Sequence, residues 1–499
     1  MLVNINKYFG TDFSLSANIG TSFEDMNYEL TGLNGNLASM PNFFAIRNIN
    51  LADAKTKSLE DGWRHQTQAV FANVELGWKS MLYLTLTGRN DWDSSLAQMP
   101  DKSYFYPSVG LSGVVSEMVK LPNFINYMKV RGSYASVGSS IPRNISIHHY
   151  RFDESANGWE TNSYRPLGDL YPERTKSWEV GLNTRFWNNR FDLNVTLYKS
   201  NTYDQTLTIP VSGGSGYNQI IAQTGNIQNK GIELSLNYTQ KWRDFTWSSG
   251  FTASANRNKI IDLGRYINES GTVTVLDQIQ KTQIGSSLIL LKTGGTLGDL
   301  WTTSVLKKDE NGNIWVDPIL GGVASESKLQ KVGSVLPKWN FGFRNGFTWK
   351  DLSCEFVVSA RLGGKVISYT QAILDSYGVS EASAVARDNG GIPVNNGVVD
   401  AQNWYSVVGG TGGIYSHYVY DATNVRLQEA SISYSFPRKW FNNAMKMSAS
   451  LVGRNLLMIY NKAPFDPEST ASTSNYYQGL DYMMAPSLRS YGFSVKFEF

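Results

Sequence analysis

The chain has little cysteine, histidine or charge, and each shortage excludes a class of protein. Its one cysteine, Cys354, cannot form an internal disulfide, and no cysteine–histidine spacing indicates a zinc site. Charged residues make up 17% of the chain, below the roughly 25% of ordinary soluble domains. The net charge of +3 gives no argument for nucleic-acid binding. No apolar run reaches the ~18 residues of a membrane helix, so any membrane span must be a β-strand.

Catalysis also finds little support in the sequence. The four histidines all fall in predicted loops, and the adjacent pair would diverge on an extended segment; they are His65, His148, His149 and His417. The glycine-rich stretches lack the strand–loop–helix context of phosphate-binding motifs. We therefore predict no enzymatic activity and no cofactor.

What the chain does have is alternation, most clearly at its C-terminus. The last nine residues place apolar side chains on one face of a strand, namely Tyr491, Phe493, Val495, Phe497 and Phe499. Gly, Ser, Lys and Glu lie between them. This pattern is typical of a transmembrane barrel strand, apolar toward lipid and polar toward the lumen. An edge strand of a soluble β-sandwich is the alternative.

Similar period-two segments recur along the whole chain and predict fourteen strands. They cover 12–19, 68–78, 81–90, 104–115, 125–136, 176–187, 190–200, 228–239, 244–256, 338–349, 352–361, 423–435, 446–457 and 488–499. Most are longer than the five or six residues usual in soluble sheets. No segment has a sustained helical period. The sequence thus predicts an all-β protein made of long strands.

The connections between these strands alternate between long and short. The short ones carry turn residues, as in Lys79-Ser80, Asn188-Asn189 and Lys350-Asp351. Outer-membrane barrels have short periplasmic turns and long outer loops, whereas a sandwich gives no reason for the alternation. We therefore predict an antiparallel transmembrane β-barrel whose last strand ends on the periplasmic side.

Several segments resemble the C-terminal barrel of SusC-like (RagA-like) TonB-dependent transporters of Bacteroidota. They begin at Leu86-Thr-Gly-Arg-Asn-Asp-Trp-Asp-Ser-Ser and end at Ala485-Pro-Ser-Leu-Arg-Ser-Tyr-Gly-Phe. Between them, in order, lie Tyr104-Phe-Tyr-Pro-Ser, Met128-Lys-Val-Arg-Gly-Ser-Tyr, Pro172-Glu-Arg-Thr-Lys-Ser-Trp-Glu-Val-Gly-Leu, Gly225-Asn-Ile-Gln-Asn-Lys-Gly-Ile-Glu-Leu and Asn455-Leu-Leu with Phe465-Asp-Pro-Glu. Seven matches in sequence are specific to the family.

The resemblance implies active import of oligosaccharides or oligopeptides through a barrel of roughly 22 strands. Residues 1–499 would be the C-terminal barrel portion, without the signal peptide, TonB box and plug. The N-terminal residues fit this expectation, since they show no basic segment followed by an apolar core. The implied partners are a SusD-like surface lipoprotein, the TonB complex through the N-terminal part, outer-membrane lipid and a glycan or peptide ligand.

Candidate ligand-binding residues are the aromatics of the long predicted loops, because a flat ring can stack on a sugar. They are Trp159, Tyr164, Tyr217, Trp301, Trp315, Trp404 and Tyr405. Members of the family often carry a calcium-loop-like acidic segment, and here its weak candidates are Asp309, Asn311, Asn313 and Asp317. A plain Asn-Gly turn is the favoured interpretation, with no metal. By the same resemblance, Tyr491, Phe493, Phe497 and Phe499 would form the barrel-assembly signal.

Two other functions remain open at this point. A passive outer-membrane channel or adhesin barrel would have no plug and no TonB coupling. A soluble β-rich carbohydrate-binding protein would need no detergent for extraction. The location that we predict is the bacterial outer membrane, crossed many times by strands.

Overall fold

The computed structural model describes residues 1–145, 150–153, 158–161, 164–165, 170–211, 214, 216–223, 225–267, 273–473 and 477–498. Its main element is an antiparallel sheet of fifteen strands that follow one another in chain order, and we call this sheet the wall. Wall strands 1 to 15 are Leu2–Phe9, Phe13–Asn34, Lys57–Trp78, Leu82–Asp93, Ser103–Val114, Ile125–Ser139, Glu173–Phe186, Phe191–Tyr203, Asn226–Trp242, Phe245–Asp262, Trp339–Trp349, Leu352–Leu362, Asn424–Phe436, Lys446–Asn461 and Ser490–Glu498.

Most wall strands present one apolar and one polar face, because their residues alternate in polarity and successive side chains point to opposite sides. Directly paired residues share a face, so the register defines rows across the sheet. One row across strands 8 to 11 consists of Val195, Leu234, Ala253 and Phe341. The adjacent row consists of Thr196, Glu233, Ser254 and Asn340. The wall therefore separates an apolar from a polar environment.

All fourteen predicted strands are present, but the predicted number is wrong by one. The missed strand is Leu2–Phe9, which pairs with Phe13–Asn34 through residues 10–12. Its apolar residues fall on both faces, as Leu2 and Tyr8 on one and Val3 and Ile5 on the other, so no alternation marks it. Strands 1 and 15 stand at the two ends of the wall order, and every side chain described in both is exposed.

Strands 2 and 3 are much longer than the predicted 12–19 and 68–78. Phe13–Asn34 pairs with Lys57–Trp78 over all 22 residues of each. At about 3.3 Å per residue such a strand reaches roughly 70 Å, more than twice the ~30 Å hydrocarbon core of a bilayer. Where both faces of a strand meet water, no alternation is required, and the sequence signal is lost.

The connections at one end of the wall are shorter than those at the other, as predicted, except that 94–102 and 115–124 are nearly equal in length. The short ones are 10–12, 79–81, 115–124, 187–190, 243–244, 350–351 and 437–445. The long ones are 35–56, 94–102, 140–172, 204–225, 263–338, 363–423 and 462–489. Several short turns place non-glycine residues in the left-handed region, with φ of 50° at Lys79, 58° at Asn188 and 52° at Lys350. Left-handed backbone at these positions reverses the chain within two to four residues.

The long connections fold into a layer of their own at one end of the wall, which we call the loop layer. Its described strands are Tyr150–Asp153, Gly158–Thr161, Tyr164–Arg165, Thr206–Pro210, Gln219–Gln223, Arg265–Ile267, Val273–Val275, Gln278–Ile284, Ser287–Lys292, Asp299–Leu306, Ser325–Ser334, Lys365–Ser368, Ile392–Val394, Gly397–Val399, Val419–Asp421 and Leu480–Asp481. The four from Gln278 to Ser334 form one antiparallel sheet.

Connection 363–423 contains helices that the sequence did not predict. They are Tyr369–Ser376, Glu381–Asp388 and Ala401–Val408. Each is only eight residues long and begins at a side-chain cap, provided by Ser368, Ser380 and Asp400. A one-turn helix, Val115–Met118, and 3-10 turns at Ile46–Asn48, Ser94–Leu96, Tyr415–Tyr418 and Arg438–Phe441 complete the described helical elements. No helix among the described residues has the length and apolar character to cross a bilayer.

The largest hydrophobic core lies in the loop layer rather than in the wall. It joins connections 204–225, 263–338 and 363–423, and its most buried members include Leu263, Leu291, Val408, Tyr415 and Tyr418. The wall has only two layers of side chains, one on each face, and many of its apolar residues stay exposed, such as Leu111 and Leu451. A single sheet cannot bury its own apolar face, so that face needs another apolar medium.

Candidate functional site: the polar face and the loop layer

A cavity of about 500 Å³ opens on the polar face of the wall between strands 6 and 11. Arg131 donates from its two terminal nitrogens to Asn183 Oδ1 at 2.5 Å and Thr196 Oγ1 at 2.6 Å. Gly181 makes room for this guanidinium, since a Cβ there would lie 2.6 Å from Arg131 Nε. Glu233 brings the opposite charge to the same cavity. The site thus combines a fixed cation, an anion and neutral hydrogen-bonding groups.

A second polar cluster lies where strand 4 enters the loop layer, on the same face. Arg89 Nε donates to Asp91 Oδ1 at 2.6 Å, and the Tyr106 hydroxyl donates to Asp91 Oδ2 at 2.6 Å. His65 Nε2 lies 2.8 Å from Asp93 Oδ1. The sequence placed His65 in a loop, but it belongs to the long strand 3. Both acidic residues are buried, so the Gly-Arg-Asn-Asp-Trp-Asp motif serves as a side-chain network.

Comparison with known proteins identifies the architecture. The family described as TonB dependent receptor-like, beta-barrel matches residues 2–456. The chain belongs to this family. TonB-dependent receptor P3 of Formosa agariphila is 24% identical to it, over 99% of this chain and 51% of that protein. TonB-dependent receptor SusC of Bacteroides thetaiotaomicron is 22% identical, over 85% of this chain and 44% of that protein.

Solved structures agree on the fold. The RagAB peptide transporter superposes with a TM-score of 0.76 over 100% of this chain and 55% of that chain, at 17% identity. The chain thus spans about half the length of the relatives that it matches. The predicted SusC-like and RagA-like resemblance is confirmed, and the soluble alternative is wrong. The protein is a TonB-dependent receptor-like barrel wall of the outer membrane.

Family membership orients the TonB-dependent receptor wall. Its apolar face meets lipid and its polar face lines the lumen, because bilayer and channel impose those polarities. The short connections then lie at the periplasmic end and the loop layer at the outer end. The cavity at Arg131 and Glu233 is therefore a lumen site, and the Asp91 cluster lies nearer the outer mouth.

The first three predicted aromatics lie in two neighbouring outer connections. Trp159 is 71% exposed and pairs with Phe152 across a hairpin. The Tyr164 hydroxyl donates to the Asn144 carbonyl at 3.2 Å, and burial raises the pKa of Tyr164. Tyr217 is half-buried in connection 204–225, whose strand Gln219–Gln223 pairs with Tyr164–Arg165. The structure therefore brings these two connections together at the outer end.

The other predicted aromatics are more enclosed. Trp301 and Trp315 are half-buried, and the Lys307 ammonium lies 4.5 Å from the centre of the Trp315 ring. Trp404 and Tyr405 lie on the helix Ala401–Val408, 4% and 7% exposed, within the loop-layer core. Contact of any of the seven aromatics with a ligand stays a prediction, for which exposure favours Trp159 over Trp404 and Tyr405.

The loop layer also holds a buried polar network that the sequence did not reveal. Asp375 Oδ1 accepts hydrogen bonds from Gln371 Nε2 at 2.8 Å and from the Ser380 hydroxyl. Burial lowers the pKa of His417, although the negative charge of Asp375 acts in the opposite direction. Burial and then Asp375 raise the pKa of Tyr418. The sequence offered one signal for this region, namely the serines at 368 and 380, because serine is a preferred residue at the start of a helix.

A buried ion pair fastens the last outer connection to the wall. Arg426 of strand 13 is 3% exposed, and its Nη2 lies 2.9 Å from Asp466 Oδ1 and 3.3 Å from Glu468 Oε2. Burial acts to raise the pKa of Asp466, but hydrogen bonds from Ser487 and Arg426 outweigh it and hold this pKa below its usual value. The Phe465-Asp-Pro-Glu motif is therefore an anchor for connection 462–489.

The acidic segment forms two local turns. Asp309 Oδ1 accepts from the backbone N–H groups of Asn311 and Asn313, both at 2.9 Å. Asp317 Oδ1 accepts from the N–H groups of Ile319 and Leu320, and these bonds lower the pKa of Asp317. Within the described ranges, no three acidic, histidine or cysteine side chains are grouped as metal ligands. Each carboxylate caps its own turn.

The predicted assembly segment lies on the apolar face of strand 15. Tyr491 and Phe493 are 75% and 81% exposed, and Phe497 pairs with Met447 of strand 14. Phe499, and likewise the histidines at 148 and 149, lie outside the described residues. Recognition of this segment by an assembly machinery stays a prediction.

Proposed function

We propose that this chain forms the lumen wall and outer loops of a TonB-dependent importer for polar oligomers, oligosaccharides first and oligopeptides second. The cavity at Arg131 and Glu233 carries the proposal. Its two opposite charges and its many hydroxyl and amide groups match a ligand rich in hydrogen-bonding groups rather than an apolar one. Asn194 Oδ1 lines this cavity and lacks a hydrogen-bond partner among the described residues.

The outer aromatics support a polar ligand with flat apolar faces, such as a sugar chain. Trp159 is exposed at the outer end, where a ligand arrives before it reaches the lumen. The peptide alternative rests on the fold of the RagAB peptide transporter, which at 17% identity shows architecture alone. The charges at Arg131 and Glu233 would also accept peptide termini.

In the whole transporter we propose three further elements. A SusD-like surface lipoprotein would cover the loop layer as a lid, a plug would close the lumen, and TonB would act through an N-terminal part. The matching relatives are about twice as long as this chain, which leaves room for such parts. Ligand binding between lid and lumen would then be coupled to opening by TonB.

A growth and uptake assay with the whole transporter in its bacterial host tests this proposal. Labelled oligosaccharides and oligopeptides are supplied to cells with and without a protonophore. Glu233→Gln should reduce uptake about tenfold, since a hydrogen bond to a charged group contributes about 1.5–3 kcal/mol. Glu75→Gln, on the same lumen face of strand 3 but outside the cavity, is the control.

Two outcomes would contradict the proposal in distinguishable ways. Uptake that persists with the protonophore would indicate a passive channel or adhesin barrel. If the Glu233→Gln variant took up as much ligand as the Glu75→Gln variant, the ligand would not bind in this cavity. The proposal of transport itself would still stand.

A further inference from the structure

An aromatic groove on the lipid face of the wall has no role in the lumen chemistry. It is about 550 Å³ in volume and lies across strands 8 to 11. Its sides are formed by Trp187, Phe191, Tyr238, Trp247 and Phe251. Ser249 lines it between Trp247 and Phe251, and this small side chain leaves the depression open.

The aromatic side chains are packed into a rigid band at one depth of the wall. Phe191 contacts Trp187 edge-on at 5.2 Å and Tyr238 at 4.6 Å between ring centres. Tyr238 meets Trp247 at 5.0 Å in the same edge-on manner. Trp247 Nε1 donates to Oδ1 of the buried Asn345 at 3.0 Å, which fixes the indole. The groove is therefore formed before any ligand enters it.

One end of the groove carries a positive charge. Arg190, the last residue of turn 187–190, lines the groove and is exposed. It forms no ion pair with any residue that the structure describes, whereas nearby Arg185 is paired with Asp192 at 3.0 Å. Turn 187–190 belongs to the short, periplasmic connections, so Arg190 lies at the level of the inner-leaflet head groups.

We propose that this groove binds one phospholipid of the periplasmic leaflet, with an acyl chain along the aromatic band and the phosphate on Arg190. The groove faces lipid, so its occupant must come from the bilayer. Arg binds phosphate through a planar, multi-donor guanidinium, which complements the anionic head group. Trp187 and Trp247 place amphipathic rings at the same interface. The inference rests on the membrane placement of the wall and not on the transported substrate.

Native mass spectrometry on the protein, extracted from membranes and stripped of lipid, tests this site. Phosphatidylglycerol, diacylglycerol and inorganic phosphate are added separately. We expect one tightly held phosphatidylglycerol, much weaker diacylglycerol and no retained phosphate. Arg190→Gln should weaken phosphatidylglycerol retention about tenfold, in line with the loss of one charge-assisted hydrogen bond. Arg243→Gln, in the neighbouring periplasmic turn outside the groove, should leave retention unchanged.

Three results would overturn the proposal. If the Arg190→Gln variant retained phosphatidylglycerol as well as the native protein does, Arg190 would not contact the phosphate. Diacylglycerol held as tightly as phosphatidylglycerol would reduce the groove to a nonspecific apolar surface. Retention of inorganic phosphate alone would make Arg190 a free-anion site. The comparison of the three probes needs only the native protein, so poor folding of a variant does not affect it.

Discussion

The wall and the loop layer are built from the same chain by opposite physical rules. In the wall, partners are consecutive strands, and within the membrane each residue faces either lipid or lumen. In the loop layer, the core joins residues from three different connections, such as Leu207, Leu291 and Tyr415. The wall thus depends on surrounding media for its stability, whereas the loop layer depends on its own interior. Changes that act on one region and leave the other intact test this contrast.

The largest effect is expected where the two regions are joined. Arg426→Ala would leave Asp466 and Glu468 without their buried partner, which costs about 3–5 kcal/mol. Thermal unfolding in detergent and the temperature at which the barrel loses its compact form on gels are the measurements. Arg454→Ala, which breaks an exposed pair with Glu429, is the matched control and should cost at most about 1 kcal/mol. Equal losses of stability in the two variants would show that the buried ion pair contributes no more than an exposed one.

We expect that the loop layer can lose its structure while the wall stays folded. Tyr415 is 1% exposed, stacks on Tyr369 at 5.7 Å and donates its hydroxyl to the Gly410 carbonyl at 3.0 Å. Tyr415→Ala should cost the loop layer about 3–5 kcal/mol, because it removes a buried ring and leaves a cavity. Limited proteolysis would then cut connections 263–338 and 363–423 while the barrel stays intact. Tyr377→Ala, at a 77% exposed ring, is the control. Loss of the whole barrel would contradict the separation.

The stability of the wall should depend on which of its two faces receives an added charge. Leu451 is 62% exposed on the lipid face of strand 14, opposite Phe493. Leu451→Arg should destabilise the barrel by about 2 kcal/mol, according to its depth in the bilayer. Ser450→Arg places the same charge on the lumen face and should change stability by less than half of that. Urea-induced unfolding in phospholipid vesicles compares the pair, and equal losses would mean that the faces are assigned wrongly.

The smallest expected effect is a pH dependence confined to the loop layer. Burial holds the pKa of His417 below its usual 6.5, so the folded state favours the neutral ring. This contribution is complete above pH 6.5 and is lost as the pH falls toward the folded-state pKa, by at most about 1.4 kcal/mol at one pH unit below 6.5. Protease sensitivity of connection 363–423 should therefore rise below pH 6. His417→Phe keeps the ring contacts with Trp404 and Tyr418 and should remove this rise.

Prediction from the sequence succeeded in the membrane-spanning strands, where lipid on one side and the aqueous lumen on the other require apolar and polar residues to alternate. The alternation at Tyr491, Phe493 and Phe497 was enough to predict a lipid-facing strand, and the same pattern located fourteen of the fifteen wall strands. It failed at Leu2–Phe9, whose apolar residues fall on both faces. It also failed above the membrane, where Phe13–Asn34 and Lys57–Trp78 continue as strands between two aqueous faces.

The candidate site was less predictable for a different reason. The approach of Arg131 to Thr196, with Glu233 in the same cavity, depends on register across four neighbouring strands, which no local pattern encodes. The exposure of Trp159 and the burial of Trp404 depend equally on how separate connections pack. Both residues belong to the same class of loop aromatic in the sequence.

By itself, then, the sequence determined the class of the protein, the order of its strands and the sides of the membrane on which its connections lie. These features follow from side-chain alternation and turn chemistry, which act between near neighbours. The tertiary structure alone decided the lumen cavity, the Arg426 anchor and the aromatic groove at Arg190. Each brings together residues far apart in the chain, and their distances exist only once the strands are in register.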